Sequence, residues 1–193
     1  MVVSLAKGQK VDLTKTNPGL TTIQVGLGWD INRYDGGQEF DLDAAAFLLD
    51  TNSKLTTDSD FIYYNNKANQ NNSVVSSGDS LNGAGTGDDE TILVDLTNVP
   101  DHIDSIALTV TIHEADVRNQ NFGMVENSYI RIMNQQTGEE LIRYDLGEDF
   151  SVETAIIVAK LYRHNGEWKF NAVGAGFQGG LEALCQNFGL NLQ

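Results

Sequence analysis

Residues 78–90 read Gly-Asp-Ser-Leu-Asn-Gly-Ala-Gly-Thr-Gly-Asp-Asp-Glu, four carboxylates (Asp79, Asp88, Asp89, Glu90) flanking a glycine-rich stretch. Two unit charges about 4 Å apart repel by roughly 4 kcal/mol at an effective dielectric near 20, so gathering such groups is costly unless a cation neutralises them. No Cys or His stands among them. The donors are hard oxygens, which suit Ca²⁺ or Mg²⁺ rather than zinc. A solvated acidic glycine linker is the plain alternative for this segment taken alone. A second acidic group lies upstream in Gly28-Trp29-Asp30 and Phe40-Asp41-Leu42-Asp43-Ala44. In an extended strand residues i and i+2 share a face, so Asp41 and Asp43 point the same way. Asp30, Asp41, Asp43, Asp79, Asp88, Asp89 and Glu90 together supply oxygen for more than one cation. Asn66 is the amide oxygen expected closest to them.

The elements that must position these residues are strands. Residues 3–5, 21–27, 41–49, 61–64, 92–96, 105–112, 128–133, 141–144, 155–163 and 168–172 carry the β-branched, aromatic and alternating patterns of strands. The 41–49 strand becomes apolar on both faces over its second half, whereas Thr109-Val-Thr-Ile alternates as a half-exposed strand would. Residues 7–10 read as a basic turn, and the asparagine-rich 65–72 as an exposed loop. Residues 134–138 and His164-Asn165-Gly166 read as hairpin turns. Residues 115–125 hold a helical turn or structured loop, and 180–188 is the one good helix pattern. About ten strands with few short helices point to an all-β, antiparallel β-sandwich in a single domain spanning residues 1–193.

Composition narrows the function. The chain of 193 residues carries a formal net charge of −15, which argues against contact with nucleic-acid phosphates and disfavours unassisted binding to anionic lipid. A bridging divalent cation weakens that second exclusion. The single cysteine, Cys185, permits no intramolecular disulfide. Residues 1–10 lack the apolar core of a secretory leader, and no apolar run is long enough to span a bilayer.

Several motifs in order carry a family resemblance. Gly26-Leu-Gly-Trp-Asp30, Asp41-Leu-Asp-Ala44 and the 78–90 loop resemble the signature of the TerD family of tellurium-resistance and general-stress proteins. So do Val110-Thr-Ile-His113, Asn121-Phe-Gly123, Ile130-Arg131, Leu161-Tyr-Arg163, Trp168-Lys-Phe170 and residues 174–180, so that the likeness runs from Val3 to about Leu184. Asn82-Gly83 stands where Thr-Gly is expected in that family's loop; the carboxylate positions are intact. The resemblance implies a calcium-binding β-sandwich in the bacterial cytoplasm with a role in stress responses. Calcium sites in loops at one end, holding two ions, are the expectation. The partners expected are other stress-response proteins, with membrane-associated ones among the candidates.

Catalytic patterns are weaker. Gly174-Ala-Gly176-Phe-Gln-Gly179 satisfies Gly-x-Gly-x-x-Gly, but only 14 residues follow Gly179, too few for a dinucleotide-binding βαβ unit. No EF-hand spacing is present. His102, His113 and His164 are dispersed, with no nucleophile elbow near them. A non-enzymatic calcium-binding module is therefore the expectation. Asp41, Asp43, Asp88, Asp89 and Glu90 are its core ligands, and Asp30 and Asp79 come next. The rival is a metal-dependent phosphoester hydrolase holding Mg²⁺ or Mn²⁺ on the same acids, whose weakness is the lack of an evident base or phosphate-binding Lys or Arg beside them.

Overall fold

The computed structural model describes residues 2–30, 39–76, 87–146 and 150–190. The described residues form twelve strands: β1 (Val3–Ser4), β2 (Lys10–Asp12), β3 (Thr22–Gly28), β4 (Leu42–Leu49), β5 (Phe61–Ile62), β6 (Val74–Ser76), β7 (Glu90–Asp95), β8 (Ser105–Ile112), β9 (Tyr129–Asn134), β10 (Glu140–Asp145), β11 (Ala155–His164) and β12 (Glu167–Phe177). Two α-helices accompany them among the described residues: α1 (Ala115–Arg118) after β8 and α2 (Gly180–Phe188) after β12. One sheet has the order β1-β10-β9-β3-β7-β6 and the other β2-β12-β11-β8-β4-β5.

Alternation decides what each sheet buries. Ile23, Val25 and Leu27 of β3, Ile92 and Val94 of β7 and Ile130 and Ile132 of β9 face Leu42, Ala46 and Leu48 of β4 and Ile106, Leu108 and Val110 of β8. The two sheets thus enclose one apolar core, as a sandwich must. The outer face of β4 carries a second cluster. Ala45, Phe47 and Leu49 lie under Leu184, Cys185 and Phe188 of α2, and the Phe47 ring stacks on Phe61 at 4.4 Å between centroids. This is the two-faced burial expected of 41–49. The Asn165-Gly166 turn between β11 and β12 takes positive φ at both residues, 54° and 78°, the conformation that matches strand twist in a two-residue hairpin.

Four expectations need correction. The sandwich is not wholly antiparallel, because β1 runs parallel to β10 with Val3 opposite Ile142. Thr109 and Thr111 are buried rather than half-exposed. α2 covers the outer face beside them, and the Thr109 hydroxyl donates to the Ala45 carbonyl at 3.2 Å. Lys10 begins an edge strand instead of ending a turn. Within 65–72, Asn69 is buried and organises the loop: its Nδ2 donates to Asn71 Oδ1 and Ser73 Oγ, and its Oδ1 accepts from the Val74 N–H at 3.0 Å. An asparagine loop buries side chains when its amides replace the backbone's missing partners.

Candidate functional site

The registers Leu27↔Glu90, Gly28↔Tyr129 and Leu42↔Ile112 bring the end of β3 and the starts of β4, β7 and β9 to one end of the sandwich. Trp29 ties the two sheets together there. Its ring is buried, and Nε1 donates to the Phe40 carbonyl at 3.3 Å. The backbone N–H of Trp29 donates to Asp89 Oδ2 at 3.1 Å, and the Asp89 N–H to the Leu27 carbonyl at 2.8 Å.

Glu90, Ile92 and Val94 form the inward face of β7. Glu90 is therefore a buried carboxylate at the rim of the core, and its Oε2 accepts from the Ala44 N–H of the opposite sheet. A charge-assisted bond of this kind satisfies a group that would otherwise be costly to bury. Asp41 and Asp43 flank the inward-facing Leu42 and so share the outer side of β4, as the two-residue spacing required. Asp41 Oδ2 lies 3.8 Å from Arg118 of α1, and Asp43 Oδ2 lies 3.7 Å from His113 Nδ1. Asp30 Oδ2 accepts from Asn127 Nδ2 at 2.8 Å.

Asp88 goes elsewhere. Its carboxylate lies over Gly26 on the outer face of the β3 sheet, its side chain only 4% exposed. There Oδ1 accepts from Arg131 Nε at 2.7 Å and Tyr129 Oη at 3.2 Å, and Oδ2 from Gln24 Nε2 at 3.3 Å. Arg131 Nη1 reaches on to Glu140 Oε2 at 3.0 Å. Burial of Arg131 acts to lower its pKa, but the bonds to Asp88 and Glu140 outweigh that and the net direction is upward. Desolvation, helped by the Asp88 charge, pushes the Tyr129 phenol up.

Asn66 is set in the turn after β5, where Nδ2 donates to the Phe61 carbonyl at 2.7 Å. Asp79 lies outside the described residues. The acidic end thus assembles Asp30, Asp41, Asp43, Asp89 and Glu90 from three segments distant in sequence, and turns Asp88 away from Glu90. Its donors are oxygens throughout, the chemistry calcium takes. Among the described residues, however, no three Asp, Glu, His or Cys gather closely enough to hold a metal ion. Beside Asp43, a cleft of about 290 Å³ opens between β8, α1 and the start of α2, lined by Tyr64, Thr111, His113 and Thr154 among others.

Sequence reasoning missed the basic and aromatic groups set against the acids: Arg131 and Tyr129 at Asp88, Arg118 at Asp41, His113 at Asp43. The alternation Tyr129-Ile130-Arg131-Ile132 put the first pair on a polar face, but the neighbouring strand is a tertiary fact.

The described residues form a two-sheet β-sandwich with acidic residues at one end. Residues 1–188 match the TerD domain model, and the chain belongs to the TerD family. It is 60% identical over 192 residues, the whole of both chains, to General stress protein 16U of Bacillus subtilis (strain 168). It is 51% identical over 191 residues, 99% of each, to Tellurium resistance protein TerD of Serratia marcescens. A solved structure described as a homologue of telluride resistance protein (TerD) from Streptomyces coelicolor A3(2) superposes with a TM-score of 0.70 at 23% identity, covering 86% of this chain and 95% of that one. The last likeness is one of fold. The chain is accordingly a member of a stress-response and tellurium-resistance family. Among the described residues no helix is long and apolar enough to cross a membrane.

Proposed function

We propose that this protein is a non-enzymatic, calcium-binding stress-response module of the cytoplasm. Its acidic end, ordered by calcium, forms a surface read by other stress-response proteins. The observation that supports the reading is that strand register brings the segments carrying Asp30, Asp41, Asp43, Asp89 and Glu90 to one end of the sandwich. Their donor set is all oxygen, in a chain of net charge −15. Bound calcium would supply charge neutralisation there; the chain's own part is to hold the oxygens. Trp29 fixes the Asp89 side chain through its N–H, and Ala44 fixes that of Glu90.

The weakness ascribed to the hydrolase rival, the lack of a base or a cation beside the acids, needs correcting. Basic groups do lie beside the acids, at Arg131, Arg118 and His113. All three face carboxylates, and neither the fold nor the relatives support hydrolysis. The test is titration calorimetry with calcium and with magnesium, joined to thermal melting. Calcium should bind at least about tenfold more tightly than magnesium, because flexible carboxylate loops accept its larger, looser shell. At a hundredfold excess over Kd it should stabilise the fold by about 2.7 kcal/mol, raising Tm by about 5–11 °C for a chain of this size. Equal affinities, or a Tm indifferent to calcium, would refute the proposal.

A further inference from the structure

The glycine-rich stretch 78–90 ends in three consecutive acids, Asp88, Asp89 and Glu90, and the fold treats the first of them differently. Gly26 alternates with the core residues Val25 and Leu27, so its missing side chain leaves a gap on the outer face of β3. The Asp88 carboxylate fills that gap: a Cβ built on Gly26 would lie 2.1 Å from Asp88 Oδ2 and 2.2 Å from Cγ. Arg131 stands directly across from Gly26 on β9, which places its guanidinium beside the seated carboxylate. Gly28, two residues on, makes the same kind of space for Tyr129, whose ring would lie 2.5 Å from a Cβ there. The Tyr129 hydroxyl shares its proton between the Gly87 carbonyl at 3.0 Å and Asp88 Oδ1 at 3.2 Å, and Arg143 stacks on the ring at 3.9 Å. Glu90, two residues after Asp88, points to the opposite face of the same sheet.

We infer that Asp88 is not a metal ligand but a clasp: seated over Gly26 and locked to Arg131 and Tyr129, it fixes the chain so that Asp89 and Glu90 face the acidic end. The inference rests on the calcium reading for its functional part, and the clasp itself is a claim about Asp88 and Arg131 alone. The role is that of a positioning residue. To join Asp89 and Glu90 around an ion, the carboxylate would have to leave its seat, stripping Arg131 of the shorter of its two ionic partners.

Arg131→Met gives the discriminating sign. If Asp88 were a ligand held back by Arg131, removing the guanidinium would free it and take a positive charge from the neighbourhood, and calcium would bind more tightly. The clasp predicts the reverse, calcium affinity weakened about tenfold, the usual scale for losing a group that orients ligands. Asp88→Asn, which keeps shape and an acceptor, should hold calcium affinity within about threefold. Asp89→Asn should lower it by more than about tenfold through loss of a charged ligand. Without metal, Arg131→Met should lower Tm by about 3–10 °C, Asp88→Asn by less because its amide oxygen remains an acceptor, and the double variant by little more than Arg131→Met alone. Tighter calcium binding in Arg131→Met, or a loss in Asp88→Asn equal to that in Asp89→Asn, would overturn the inference. If the wild-type protein binds no calcium, the functional reading fails by itself, and the metal-free cycle decides the clasp: additive effects refute it, non-additive ones sustain it.

Discussion

Replacing Gly26 by alanine sets two opposed effects against each other. Alanine in a strand interior is normally better than glycine by about 0.5–1 kcal/mol, because glycine loses more backbone freedom on folding. Here the added methyl would occupy the space of the Asp88 carboxylate, 2.1 to 2.5 Å from its three terminal atoms. Asp88 must leave, and with it go the bond from Arg131 at 2.7 Å and the longer ones from Tyr129 and Gln24. A short hydrogen bond to a charged group contributes about 1.5–3 kcal/mol and the two long ones to the same carboxylate about 1 each, so the loss is about 3–5 kcal/mol. After the propensity gain the net destabilisation is about 2–4 kcal/mol, a fall in Tm of about 4–16 °C. Calorimetric melting of Gly26→Ala reads this directly. The same change made in an Asp88→Ala background removes the collision, and there alanine should be neutral or stabilising by up to about 1 kcal/mol. A single Gly26→Ala variant as stable as wild type, or a loss undiminished in the Asp88→Ala background, would show that the carboxylate does not sit where the cause has been placed.

Two predictions concern the face covered by α2. Phe47 is fully buried, stacked on Phe61 and tilted against Phe188 at 4.6 Å; Phe47→Ala should cost about 3–5 kcal/mol and strip hydrogen-exchange protection from α2, whereas a loss below about 1 kcal/mol would mean the helix docks by other contacts. Burial pushes the Cys185 thiol up to about 11, so it stays protonated near pH 8 and should react with a disulfide reagent only after unfolding; fast labelling of the native protein would contradict its place under the helix.

Much of the architecture was legible in the chain. Strand patterns, the Asn-Gly hairpin, the two-faced burial of β4 and the shared direction of Asp41 and Asp43 follow from side-chain period, a property of each strand by itself. The hard-oxygen character of the acidic end needs no more than residue type. Which strand lies beside which does not. β6, three residues long, is too short to show a period. The cover over Thr109 and Thr111 comes from a helix some seventy residues later, and the parallel β1·β10 pair joins strands more than 130 residues apart. The direction of Asp88 is the clearest case. Three consecutive acids look equivalent as a string, and their charge alone makes a cluster. Gly26 and Arg131, 62 residues before and 43 after it, face each other across two hydrogen-bonded strands. Only that pairing creates both the vacant seat and the cation that fills its edge, because a carboxylate goes where sterics and a charged donor together make burial favourable.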